Sequence, residues 1–135
     1  MNAIADTGFL VAFGNRNDQH HVWALDIANR VTAPLLTCDA VLAETAFHLG
    51  SSSVVLAFIR EGLVQPSFLI GEHLARLAEL AARYADRSPD LADLCLIRLS
   101  ELNPRHSVIT TDLVDFRIYR RGRREAIPLI HPPSR

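Results

Sequence analysis

The sequence predicts an α/β fold with a mainly parallel central sheet. Three observations predict it. Short apolar runs alternate along the chain with longer stretches of helical periodicity, the order that builds βαβ units. Several of those runs end at a polar residue from which a helix starts directly. The chain has 135 residues, 49% of them hydrophobic, enough to fill one core without disulfides or a structural metal. A single domain over residues 1–135 is the expectation.

The first strand is expected at Asn2–Ala5 and runs straight into Asp6. Thr7–Gly14 reads as a helix with Phe9, Leu10 and Phe13 on one side. Asn15–Asp18 is a polar break. His20–Val31 is a helix, with Trp23, Ile27 and Val31 spaced i, i+4, i+8. Pro34–Thr37 is a short buried strand. Cys38–Leu49 is a helix ended by Gly50, and Ser51–Gly62 another, capped by serines and closed by Gly62. Val64–Ile70 reads as a strand. Glu72–Ala85 has the clearest helical pattern, with Leu74, Leu77, Ala78 and Ala81 as its stripe and Glu72/Arg76 and Glu79/Arg83 as outer pairs. Ser88-Pro89 supplies an N-cap and a first-turn proline for a helix over Asp90–Leu102. Ser107–Thr110 is a strand, Thr111–Tyr119 a short turn or helix, and Ala126–Ile130 the last strand.

Fourteen arginines stand against 15 acids, so no overall basic field announces nucleic acid. There is no lysine at all. Cys38 and Cys95 form no CxxC pair and sit in apolar surroundings, which reads as two buried free thiols in a reducing, cytoplasmic setting. No apolar run is long enough to span a membrane. The first residues lack a basic start and carry Asp6, unlike a signal peptide.

Four acids sit badly with their neighbours: Asp6 in IADTGF, Glu44 in VLAETAF, Asp93 in LADLCLI and Asp112 in VITTDLV. In a parallel α/β sheet the strands end, and the crossover helices begin, at one edge. Asp6 and Asp112 fall at strand ends there, and Glu44 and Asp93 in early helical turns. All four can therefore meet in one crevice, where open α/β sheets bind ligands. Each also has a plain reading. Asp6 and Asp112 can cap helices, Glu44 can be a surface acid, and Asp93 can pair with an arginine. Carboxylates that do meet repel one another. A hard divalent cation, Mg²⁺ or Mn²⁺, removes that repulsion and suits metal-assisted attack of water on a phosphodiester.

At these residues the sequence resembles the PIN domain family, and within it the VapC-type toxin ribonucleases. "IADTGFLVAF" is similar to the family's strand-Asp-Ser/Thr start, and "LAETAFHLG" to its glutamate motif. "SPDLADLCLIRLSE" resembles the third motif and "VITTDLVDF" the fourth, Thr-x-Asp-x-x-Asp-Phe. The four occur in order over nearly the whole chain. The resemblance implies a three-layer α/β/α sandwich and a Mg²⁺- or Mn²⁺-dependent ribonuclease. It implies Asp6, Glu44, Asp93 and Asp112 as the catalytic acids, with Asp6, Asp93 and Asp112 on the metal. Asp115 is a fifth candidate, Thr110 matches the motif's hydroxyl position, and Asp90 either joins the site or serves as an early-turn helix acid. An RNA substrate and a small antitoxin partner follow from the same resemblance, as does a homodimer, for which Val54, Val55, Ala57, Phe58 and Ile59 offer a face.

The stretch RIYRRGRRE puts Arg117, Arg120, Arg121, Arg123 and Arg124 directly after the acidic motif, where they are candidates for RNA or antitoxin contact near the crevice mouth. Tyr119 reads as core or rim packing. Glu44 and His48 lie one turn apart, but no zinc-type partner spacing accompanies them. The missing lysine disfavours P-loop NTPases, and equally phosphatases of the haloacid dehalogenase type and response-regulator receivers. No GxSxG elbow supports Ser-His-Asp catalysis. A catalytically silent PIN-like module that binds RNA or protein is the rival of a different class.

Overall fold

The computed structural model describes residues 1–133 and is a three-layer α/β/α sandwich. Five parallel strands run in the order β3-β2-β1-β4-β7: β1 (Ala3–Ala5), β2 (Leu35–Thr37), β3 (Val64–Pro66), β4 (Ser107–Ile109) and β7 (Leu129–Ile130). Seven helices are described: α1 (Thr7–Gly14), α2 (His21–Arg30), α3 (Asp39–Leu49), α4 (Ser52–Arg60), α5 (Leu74–Arg83), α6 (Leu91–Leu102) and α7 (Leu113–Phe116). A separate hairpin pairs β5 (Arg120–Arg121) with β6 (Glu125–Ala126) through Gly122, whose φ of +57° suits a residue without Cβ.

The central strand carries no alternation because both its faces are covered: Ala3, Ile4 and Ala5 are all buried. Around it Leu10, Leu35, Leu96, Ile97, Val108 and Ile109 close the core. Cys38 and Cys95 are free and buried, as the apolar surroundings predict. The strand order runs outward from β1 in one direction through β2 and in the other through β4. The chain therefore reverses direction between β1 and β4, and this switch point places the ends of those two strands side by side.

Four expectations need correction. The strand expected over Val64–Ile70 stops at Pro66. It is an edge strand, paired only with β2, and beyond the proline the chain leaves the ladder for a 3₁₀ turn at Ile70–Glu72. The cap of α6 is Asp90, whose side chain accepts the Asp93 N–H at 2.8 Å, and Ser88 lies in the left-handed region instead. The buried stripe of α5 is Leu77, Leu80, Ala81 and Tyr84, while Leu74 is exposed. Its arginines reach beyond their own helix. Arg76 pairs with Glu79 and with Glu101 of α6, and Arg83 donates to the Gly122 carbonyl. Finally, Ala126–Ile130 divides into β6 and β7, because only Leu129 and Ile130 join the main sheet.

Candidate active site

At the switch point the carboxyl ends of β1 and β4 are tied together by one hydroxyl. Thr110 donates to Asp6 Oδ2 at 2.6 Å, and the Asp112 N–H donates to the same Thr110 oxygen at 2.9 Å. The other Asp6 oxygen accepts the Thr7 N–H at 2.7 Å, so Asp6 is the N-cap of α1. Thr7 in turn donates its hydroxyl to Glu44 Oε2 on α3 at 3.1 Å. Gly8 permits this closeness. A Cβ there would lie 2.1 Å from Thr111 Oγ1, so only glycine lets the turn after β4 pass over α1.

The second half of the site is built by caps as well. Asp112 caps α7 by accepting the Asp115 N–H at 3.1 Å. Asp90 caps α6 and thereby fixes Asp93 in the first turn. Tyr119, fully buried, donates its hydroxyl to Asp93 Oδ2 at 2.9 Å. Asp115 pairs with Arg87 at 3.0 Å.

Together these side chains line a crevice of about 490 Å³. Asp6, Glu44, Asp90, Asp93, Asp112 and Asp115 all face it, joined by Asp18. Among the described residues no arginine lines it. Burial pushes the Asp6 carboxyl up to about 6, against its bond from Thr110, and the charges of Asp112 and Glu44 add to the rise. Burial, then the charge of Asp90, pushes Asp93 up to about 7, with the Tyr119 bond working the other way. Asp112 is raised too, first by burial. Burial leads in each case, and the charges of the neighbouring acids add to it. Oxygens of Asp93, Asp112 and Asp115 all lie within 4.8 Å of one another. An all-oxygen donor set of this kind fits a hard divalent cation such as Mg²⁺ or Mn²⁺. The triad differs from the one drawn from the sequence in having Asp115 where Asp6 stood. Both Asp6 oxygens are already engaged by Thr7 and Thr110.

The plain readings of the acids resolve individually. Asp6 and Asp112 do cap helices, and still face the crevice. Asp90 both caps α6 and joins the lining. Among the described residues Asp93 pairs with no arginine; its partner is Tyr119, so packing against the rim was only half of that residue's role. None of the five arginines after the fourth motif is among the residues that line the crevice. Arg117 ends α7, and Arg120 donates to the Arg117 and Tyr119 carbonyls. Arg121 is buried, bound to Glu125 and to Ser100. Arg123 and Arg124 lie exposed at the hairpin turn. Thr7, Arg87, the acid contact of Tyr119 and the lining residue His20 went unread as site residues, and His48 was read only as a one-turn neighbour of Glu44 without further zinc-type ligands. Only Thr7, in the quoted Asp-Ser/Thr start, left a signal in the sequence.

A model of the PIN domain matches residues 3–122, a span that includes every acid of the crevice. Among solved structures, the chain is similar to VapC20 of Mycobacterium tuberculosis, described as a sarcin-ricin loop cleaving toxin. The TM-score is 0.67 at 19% identity, over 79% of this chain and 87% of that one. The likeness is one of fold. No curated protein matches the sequence. The family match runs from β1 to the β5 turn, through all four acidic segments, and the chain belongs to the PIN domain family.

Proposed function

We propose that the chain is a metal-dependent endoribonuclease and the toxin of a toxin–antitoxin pair. The observation that carries the reading is the crowding of Asp93, Asp112 and Asp115 oxygens within 4.8 Å, with Asp6 beside them, at the switch point of the sheet. Asp93, Asp112 and Asp115 would hold Mg²⁺ or Mn²⁺, with Asp6 at the rim of that set. When bound, the cation supplies a lowered pKa for the attacking water and offsets charge on the phosphoryl oxygens. Glu44, on the α3 side of the crevice and oriented by Thr7, accepts the water's proton. The water oxygen forms a bond to phosphorus as one phosphorus–oxygen ester bond of the RNA breaks. Thr110 keeps Asp6 and Asp112 in register throughout.

The partners belong to the same proposal. An RNA strand occupies the crevice, and a small antitoxin covers it. A homodimer forms through the apolar surface of α3 and α4. There Phe47, Val54 and Leu56 are exposed, whereas Val55 and Phe58 turn into the core. No described helix is long and apolar enough to cross a membrane. The setting we assign is the cytoplasm, which fits free thiols at Cys38 and Cys95.

The decisive experiment incubates structured RNA with the protein and Mg²⁺ or Mn²⁺. Cleavage is expected with the wild type and lost by a factor of at least about 10² in Asp6→Asn and Asp93→Asn. Equal cleavage by both variants exposes a contaminating nuclease. A folded, metal-bound protein that cuts no RNA returns the chain to the silent binding module.

A further inference from the structure

An acidic crevice alone is a poor holder of RNA. Seven carboxylates and no arginine line it, so the polyanion must be held elsewhere. Eight of the 15 acids lie outside the crevice, and among the described arginines only Arg87 pairs with an acid that lines it. A second cleft gathers five of those arginines between α5, the end of α6 and the β5–β6 hairpin.

Its floor is an ion-pair network. Glu101 on α6 receives Arg76 Nε at 2.9 Å, Arg98 at 3.2 Å and the Gly122 N–H at 2.7 Å. Arg121 is taken by Glu125, and Arg76 also by Glu79. The three glutamates of the cleft are thereby consumed by Arg76, Arg98 and Arg121. Arg83 and Arg123 are left with no carboxylate among the described residues. Both are exposed. Arg83 spends one N–H on the Gly122 carbonyl at 2.7 Å, which holds the hairpin turn and the Arg123 beside it against α5. The remaining donors of these two forks face solvent.

We propose that this cleft is a second RNA-binding site, in which Arg83 and Arg123 hold backbone phosphates of the strand or stem being cut. The inference rests on the ribonuclease reading for the identity of the polyanion. Helix α6 links the two sites. Asp93 lies in its first turn and Glu101 in its last, about 12 Å apart at the helical rise. That spans roughly three or four stacked nucleotides. Arginine forks bind phosphates without reading bases, so the cleft sets position and affinity and leaves sequence choice to the crevice. The ion pairs beneath keep the cleft preorganised, because their arginines are already committed to protein.

The test measures binding of a 20-nucleotide RNA hairpin in EDTA, by fluorescence anisotropy, between 50 and 200 mM salt. Arg83→Gln/Arg123→Gln should weaken binding about tenfold and reduce the slope of log K against log salt by about 1.5, two phosphates' worth. Arg16→Gln/Arg60→Gln, exposed arginines outside the cleft, should change neither. Arg123→Gln alone should give about half the slope change, and it removes no protein contact if the double variant proves unstable. With metal present, cleavage of a dinucleotide too short to reach the cleft should be unchanged in the double variant. Identical binding and slope in wild type and double variant overturn the proposal. So does an equal loss in the control pair, or tighter binding of polyglutamate than of RNA, which would assign the cleft to an acidic protein. Because binding is read without metal, a wild type that binds RNA but never cuts it refutes the nuclease and leaves the cleft standing.

Discussion

Tyr119 and Asp93 show how much one hydrogen bond decides at this site. Burial and the neighbouring acids hold the Asp93 proton on to about pH 7, and the Tyr119 hydroxyl is the side-chain group opposing them. In Tyr119→Phe the carboxyl should rise further, and metal must then displace a proton held more tightly than in the wild type. A hydrogen bond to a charged acceptor contributes roughly 1.5–3 kcal/mol, so Mn²⁺ affinity at pH 7 should fall about tenfold or more. The deficit should shrink at pH 8.5, where Asp93 is ionised in the wild type and loses its proton more readily in the variant than at pH 7. Calorimetric titration at the two pH values checks this. An equal deficit at both would mean that the phenyl ring is only packing. The role was not legible beforehand, since nothing in RIYRRGRRE announces that its tyrosine points inward to an acid 26 residues earlier.

At the scale of elements, the site is made by helix starts. Asp6, Asp90 and Asp112 each sit immediately before a helix and bond its first N–H groups, so local capping and carboxylate placement coincide. For Asp6 and Asp112 this is why the sequence exposed them, since a cap preference and an apolar flank mark the same position, whereas at α6 the cap signal was read at Ser88 instead of Asp90. The crossing of α1 by the turn after β4 left no comparable signal. Gly8→Ala would set a methyl 2.1 Å from Thr111 Oγ1. It should cost about 1–3 kcal/mol in urea unfolding, as overpacking does. Thr111→Ala should restore much of that loss in the double variant, giving a coupling energy well above 0.5 kcal/mol. Additive effects would show that the contact yields freely. The α5 helix teaches the converse. Its i, i+4 charges suggested pairing only within the helix, yet Arg76 adds Glu101 of α6, a better-buried carboxylate, to its pair with Glu79, and Arg83 donates to the hairpin's Gly122 carbonyl.

For the whole molecule, the site sets how stability responds to pH. Asp6 rises from 3.8 to about 6 on folding and Asp93 from 3.8 to about 7. Each therefore binds its proton more tightly folded than unfolded. Between about pH 4 and 7 the native state holds the extra protons, so stability falls as pH rises through that window. For buried Asp6 alone the cost is about 3 kcal/mol, complete above its folded value. Glu101 works in the opposite sense. Burial would raise it, but Arg76, the Gly122 N–H and Arg98 hold it below 4.5, and its contribution is lost as pH falls below that value. In EDTA the melting temperature should therefore peak near pH 5 and be lower at pH 8. Millimolar Mg²⁺ or Mn²⁺ should raise it at pH 8 and flatten the decline. A flat profile with no metal shift would remove the case for a cation at these acids. Association is a second property of the whole molecule. Exposed Phe47 and Leu56 predict a dimer by analytical ultracentrifugation, and Leu56→Glu should return it to monomer. A monomeric wild type ends that assignment.

The sequence by itself determined the alternation of strands and helices, the apolar core and the four acidic segments. Those features are local: periodicity, caps and short apolar runs are written within a few residues of where they act. Tertiary structure alone decided which acids bring their oxygens within 4.8 Å of one another, with Asp115 beside Asp93 and Asp112, and that Thr110 bonds Asp6 from 104 residues away. It also decided that Arg121 and Arg123 of the last segment line a second cleft rather than the crevice. The physical reason is distance along the chain. A carboxylate's charge state and a guanidinium's partner are fixed by neighbours brought in from remote segments, and no local pattern specifies those neighbours.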